Sequence, residues 1–318
     1  MKTALLFAGQ GSQKAGMGKD LYEKYEAFRT TIDEISKLEL GFDLKKTMFE
    51  DPDGILNQTE ITQPCMAAFA AGVLAILKEK DLKADYLMGL SLGEYSALYA
   101  AGVFDLKTLM ETVSFRGKRM QEASVGLECK MTAVLGLERE VVEKACEEIS
   151  KEMPEERVSV TNYNCPSQYV ITGTPKAVDL VSDLMMKSGA KKCMALKVSG
   201  PFHTEFMKPA GDALKEYFKG ISFNEMSIPV IFNTTAKTLE ESAKEGENVN
   251  ISNLLEKQVQ SSIYVEDSIK YLAAKGVGRT IEIGPGKAIT GCVMRTDKSI
   301  ETLRIEDVET LEKVLEKL

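Results

Sequence analysis

Between residues 127 and 198 the sequence runs strand, helix, strand, strand, helix, strand, inside a longer chain of different rhythm. "KMTAVLGL" reads as a strand and "EREVVEKACEEISKEM" has apolar residues at helical spacing. "RVSVTNY" and "QYVITG" read as two strands, "PKAVDLVSDLMMKSG" is helical again, and "KKCMALKVS" ends the unit as a strand. That order is the split ferredoxin-like unit. Outside it, single strands alternate with helices. "TALLFAG" and "DYLMGL" are buried-strand runs, and "TQPCMAAFAAGVLAILKEK" is a helix with Thr62 as cap and Pro64 in its first turn. "GEYSALYAAG" is a helix closing at Gly102, and "LKTLMETVSFRGKRMQEAS" is another. After the insert come "TEFMKPAGDALKEYFKG", "IPVIFNTTA", "SIKYLAAKGV" and "RTIEIGPG", then an amphipathic helix in "EDVETLEKVLEKL". The expectation is an α/β protein. Residues 1–126 and 199–318 form one large domain, and 127–198 form a small domain inserted in it.

Composition narrows the function. At 318 residues the chain can bury a large core and carry an appended domain. Its net charge of −8 argues against nucleic acid and anionic membranes as partners. The opening "MKTALLFAGQGSQ" has too short an apolar run for a signal-peptide core. No apolar run approaches the roughly 18 residues of a membrane span. Cys65, Cys129, Cys146, Cys165, Cys193 and Cys292 show no C-x-x-C spacing and read as reduced thiols of a cytoplasmic protein. With a single histidine, His203, a zinc site of the His/Cys type is not expected, nor any other metal.

The chemistry concentrates in "MGLSLGEYSALYAAG" at 88–102, where Ser91 stands between Gly89 and Gly93. A G-x-S-x-G between a strand and a helix meets the condition for a nucleophile elbow. An ordinary turn with Ser91 as helix cap fits the same letters. A serine nucleophile needs a base, and His203 is the sole imidazole. In "KVSGPFHTEFM" it follows a strand and a Gly-Pro turn and precedes a helix, where α/β proteins place functional groups. No acidic partner announces itself, so the expectation is a Ser-His dyad, with the base titrating near the ordinary ~6.5 unless the site shifts it. "FAGQGSQKAGMG" at 7–18 misses both the dinucleotide and the Walker spacing, as "GPGKAIT" at 284–290 misses the Walker pattern. A glycine-rich turn after the first strand can instead offer amides to an oxyanion; a tight structural turn fits equally.

Taken together, "GQGSQ", "GLSLGEYSAL", "RGKRMQ", "NYNCPSQYVITG", "GPFH" and "IEIGPG" resemble, in order and spacing, the malonyl-CoA:acyl-carrier-protein transacylases over nearly the whole chain. The resemblance implies an α/β-hydrolase-like large domain with an inserted ferredoxin-like small domain, the site lying between them. It implies Ser91 as nucleophile, His203 as base, and the amides of Gln10 and Leu92 as oxyanion hole. Arg116 would take the malonyl carboxylate, and Gln258 would help orient the histidine. Phe202 would narrow the pocket toward malonyl, as an aromatic there does in related polyketide acyltransferases. Lys191 and Lys192 could touch the carrier protein or a CoA phosphate; lysines guarding a strand edge would look the same. Two positions depart from the family pattern: Leu90 stands where histidine is usual, and Ala8 where proline is. The partners implied are malonyl-CoA, as substrate rather than cofactor, and acyl carrier protein, with the chain acting as a monomer in fatty-acid synthesis. A thioesterase or other serine hydrolase, a discrete polyketide-synthase acyltransferase and a non-catalytic carrier-binding subunit are the competing readings.

Overall fold

The run "KTALLF" forms strand β1 (Lys2–Phe7), exposed only at its first residue. Such a continuous apolar run suits a strand covered by helices on both faces. The computed structural model of the chain describes residues 1–196, 200–246 and 249–317. The other strands, in chain order, are β2 (Tyr86–Gly89), β3 (Lys130–Leu135), β4 (Val158–Cys165), β5 (Gln168–Gly173), β6 (Lys192–Ala195), β7 (Val230–Phe232), β8 (Lys237–Thr238), β9 (Ile263–Tyr264), β10 (Val277–Ile283) and β11 (Glu301–Ile305).

The larger sheet has the order β11-β10-β1-β2-β7-β8 and is parallel except for β8. The chain proceeds from β1 toward β2 and β7 on one side and returns to β10 and β11 on the other. Strand order therefore reverses at β1, and in such sheets ligands bind in the crevice at the carboxyl ends of the strands beside the reversal. Gln10 follows β1, Ser91 follows β2 and Asn233 follows β7. Topology alone thus gathers residues far apart in sequence.

The second sheet has the order β6-β3-β5-β4-β9. Its first four strands are antiparallel, and the helices Arg139–Glu152 and Pro175–Lys187 supply much of its core. This is the ferredoxin-like arrangement. A fifth strand, β9, joins parallel to β4 from 101 residues further along the chain, Ile263 lying opposite Asn162, a pairing the letters did not announce. The carboxyl end of the expected strand "KKCMALKVS", the 198/199 boundary and Leu318 lie outside the described residues.

The helix Thr59–Glu79 corrects one expectation. Its N-cap is Gln58, not Thr62, and Pro64 lies inside it. Packing decides this start: a Cβ on Gly117 would fall 2.9 Å from Thr59 O and from Glu60 Cα, so the first turn rests directly on the helix Leu106–Ser124. Thr62 Oγ1 reaches back to Leu56 O instead of capping. By length and composition this helix could cross a membrane, but 78% of its apolar window is buried inside the fold.

Candidate active site

Ser91 sits on the turn between β2 and the helix Gly93–Ala100 with φ of 51°, in the left-handed region that L-residues seldom adopt. The flanking glycines are steric necessities. A Cβ on Gly89 would lie 1.9 Å from Gly93 C, and one on Gly93 would lie 2.1 Å from Phe7 O. The turn is pinned from outside as well. Ser91 N–H donates to Asn233 Oδ1 at 2.7 Å, and Ser91 O accepts from Gln258 Nε2 at 2.8 Å.

His203 also has a left-handed backbone, at φ of 63°, and its side chain is buried. Its Nε2 is 2.9 Å from Ser91 Oγ and its Nδ1 is 2.8 Å from the main-chain carbonyl of Gln258. A carbonyl only accepts, so Nδ1 carries the proton and Nε2 turns its lone pair to the serine hydroxyl. Burial, and secondly the charge of Arg116, bring the histidine down to about 4. The site thus moves it well below the ordinary value near 6.5, and at neutral pH it is an uncharged acceptor.

Arg116 is 1% exposed, far from a solvated helix charge. Its Nη1 donates to Gln63 Oε1 at 2.8 Å. Its Nη2 donates to Gln258 Oε1 at 2.9 Å and to Ser91 Oγ at 3.0 Å. The guanidinium lies 5.2 Å from the Tyr95 ring centre, and among the described residues its buried Nε has no acceptor. The adjacent carboxyl, Glu94, does not pair with it directly; burial pushes that group up to about 8. A buried guanidinium, always charged and forked, can pair with an anion.

Gln258 therefore serves three ways: its carbonyl fixes the histidine tautomer, and its amide holds both the arginine and the elbow. The side chain of Gln10 donates to Thr59 Oγ1 at 3.0 Å. Among the described residues, the main-chain amides of Gln10 and Leu92 have no acceptor. Phe202 is buried in the main core beside His203. Lys191 and Lys192 are exposed at the start of the edge strand β6, and neither bonds to a residue of the Ser91 cluster. Leu90, at the family's histidine position, packs partly buried against the core beneath the second face of the sheet. Sequence reasoning missed Gln63, Glu94 and Asn233. Glu94, in the first turn after the elbow, was the one with a local signal.

The arrangement combines a hydroxyl, a neutral imidazole, two free amides and a buried cation, which is what acyl transfer of an anionic acyl group requires. Comparison with known proteins agrees with that chemistry. Residues 4–314 match the family model described as acyl transferase domain. The chain is similar to a malonyl CoA-acyl carrier protein transacylase of Bacillus subtilis (strain 168), 39% identical over 317 residues, covering 100% of this chain and 97% of the relative. It is also similar to the crystal structure of MCAT from Streptococcus pneumoniae, with 40% identity, a TM-score of 0.91 and full coverage of both chains. A malonyl-transacylase solved in complex with its type II PKS acyl-carrier protein matches over the full length of both chains, at 35% identity and a TM-score of 0.92.

Proposed function

The chain belongs to the malonyl-CoA:acyl-carrier-protein transacylase family of acyltransferases, and from that premise we propose the parts its residues play in moving malonyl from CoA to the carrier. The protein is an acyltransferase that passes malonyl from malonyl-CoA to acyl carrier protein through an acyl-serine, supplying extender units for fatty-acid synthesis. Ser91 attacks the thioester carbonyl while its proton passes to His203 Nε2. The carbonyl oxygen takes the negative charge and is held by the amides of Gln10 and Leu92. Collapse expels CoA, whose sulfur takes the proton back from His203. The phosphopantetheine thiol then gives its proton to the same nitrogen and attacks the acyl-serine carbonyl; the acyl–oxygen bond breaks, Ser91 Oγ takes the proton back from His203, and malonyl leaves on the carrier's sulfur, a ping-pong course. Throughout, Arg116 holds the free carboxylate and Phe202 bounds the acyl pocket.

One observation carries this reading. Ser91 Oγ lies within hydrogen-bond reach of both the neutral His203 and the buried cation of Arg116. A plain serine hydrolase has use for the first contact and none for the second. Residues 127–198 act as the small domain, and Lys191 and Lys192 on it are a carrier or CoA-phosphate contact. We take the chain to act as a monomer. The six free thiols fit a cytoplasmic protein, and the net charge of −8 fits one that binds neither nucleic acid nor membrane. The test is intact-mass analysis after incubation with malonyl-CoA. A malonyl adduct on Ser91, discharged by holo-carrier protein and absent from Ser91→Ala, is expected. A stable adduct on Ser91→Ala would move the nucleophile elsewhere.

A further inference from the structure

Asn233 stands directly after β7, the neighbour of β2, and is 1% exposed. Its side chain brackets the elbow: Oδ1 accepts from Ser91 N–H at 2.7 Å and Nδ2 donates to Gly89 O at 2.7 Å. Its own main-chain N–H donates to Glu94 Oε2 at 2.6 Å, and Glu94, also 1% exposed, sits in the first turn of the helix that follows the elbow. One asparagine thus touches the residues before, at and after the bend. Its main-chain carbonyl accepts Tyr264 N–H at 2.9 Å, and Tyr264 belongs to β9, which pairs with β4 of the second sheet.

We propose that Asn233 and Glu94 are a positioning pair for the nucleophile, holding Ser91 in its left-handed conformation and tying the elbow to the second sheet. The reason lies in the backbone. A serine at φ of 51° is strained and persists only where its surroundings over-determine it. The helix amides and the β2 ladder leave Ser91 N–H and Gly89 O unpaired at the bend. Asn233 satisfies both with one rigid amide, and Glu94 fixes the main chain from which that amide projects. Occupying the Ser91 amide also settles which donors remain: Leu92 N–H is left free for an oxyanion while Ser91 N–H is not. Among the described residues, neither side chain hydrogen-bonds Ser91 Oγ, His203 or Arg116. Their effect runs through the direction in which Ser91 Oγ points, toward His203 Nε2 and Arg116 Nη2.

The inference rests on Ser91 and His203 being the reacting pair, but not on malonyl as the acyl group. The test therefore uses two probes on the full chain. One is the rate of CoA release in the first turnover with malonyl-CoA. The other is the rate of Ser91 labelling by a fluorophosphonate, which needs the nucleophile and base but no carboxylate anchor. Asn233→Ala removes two buried hydrogen bonds and should slow both by about ten- to a hundredfold. Malonyl-CoA affinity, measured by calorimetry with Ser91→Ala as background, should stay within about twofold of its value without the second change. If Asn233→Ala does not fold, the near-isosteric Asn233→Asp decides: it keeps the acceptor for Ser91 N–H, loses the donor to Gly89 O, and should slow both rates in parallel, by less than the loss of both contacts would, with native circular dichroism. Glu94→Ala should slow both probes, and Glu94→Gln, which keeps an acceptor oxygen, should restore most of the rate. Folded Asn233 variants with wild-type rates, or with weaker substrate binding alone, would overturn the proposal. So would Glu94→Ala and Glu94→Gln behaving alike. Loss of malonyl turnover with normal fluorophosphonate labelling would also overturn it, whereas normal positioning effects on labelling in an enzyme that takes no malonyl would count against the acyl assignment alone.

Discussion

Arg116 Nη2 donates to Ser91 Oγ at 3.0 Å, on the hydroxyl that His203 Nε2 meets at 2.9 Å. In the resting protein the cation and the base share one oxygen. The cation favours the alkoxide, making the serine easier to deprotonate, while the same charge makes the imidazole a weaker base. The two effects oppose each other in the proton transfer, so a carboxylate arriving at Arg116 does more than anchor an acyl chain. It offsets the charge felt by both partners.

Removing the guanidinium should invert acyl preference. With Arg116→Ala, a malonyl carboxylate entering the site is buried without a partner, at a cost on the order of 3–5 kcal/mol, or roughly 10²- to 10³·⁵-fold in kcat/KM. Acetyl-CoA has no carboxylate and should not suffer that loss. Arg116→Lys should recover only part of the malonyl rate, because a point charge cannot reproduce the two-pronged contact. The measurement is kcat/KM for both thioesters at one carrier concentration. Equal losses on the two substrates would assign Arg116 to the serine or the fold rather than to the acyl end.

The acid limb of the rate should lie far below that of a solvent-exposed histidine. His203 must be neutral to accept the serine proton, and burial with the Arg116 charge lowers it to about 4. The profile of kcat/KM should therefore stay flat on descending from pH 7 until it bends near that value. Arg116→Ala removes the second of the two causes and should shift the bend upward, while burial keeps it below the ordinary range. His203→Ala should lose transfer by roughly 10⁴ to 10⁶. A wild-type bend close to 6.5 would mean the ring is hydrated in solution.

Stability should respond to pH through two buried groups of opposite sign. Glu94 is raised from 4.5 to about 8, so its contribution is fully present below 4.5 and is lost as pH rises through 8. His203 is lowered from 6.5 to about 4, so its contribution is fully present above 6.5 and is lost as pH falls through 4. Glu94→Gln should flatten the decline of Tm on the alkaline side, and His203→Gln the decline on the acid side. Thermal scans of the three proteins from about pH 4 to 9 test this; curves that run parallel would contradict it.

Gly93→Ala should damage the fold rather than the chemistry alone. The added methyl would meet Phe7 O at 2.1 Å and Ala8 O at 3.0 Å, both main-chain atoms that cannot swing aside. Relief requires β1 and the elbow to separate, at a cost on the order of 3 kcal/mol. Urea unfolding should show that loss, and a variant within about 0.5 kcal/mol of wild type would show the elbow to be looser than its contacts indicate.

The letters carried whatever depends on near neighbours. Strand-turn-helix periodicity placed Ser91 on an elbow, and the two glycines beside it matched the crowding found there. The single histidine left no choice of imidazole, and the order of elements from 127 onward named the inserted unit. Arg116 was legible only through resemblance, because an arginine on a helix has the same spacing whether it faces water or a core.

Tertiary structure decided the rest, since each remaining feature depends on groups far apart along the chain. Asn233 meets Ser91 across 142 residues, and Gln63 meets Arg116 across 53. Polar residues at a strand end or inside a helix turn leave no period to read. The start of the helix Thr59–Glu79 moved because Gly117 lets another helix sit on it. Strand β9 joined the second sheet because an open edge of β4 was in reach. The protonation of His203 belongs to this class too. It is set by how much water and how much positive charge surround the ring, and neither exists until the chain has folded around Ser91.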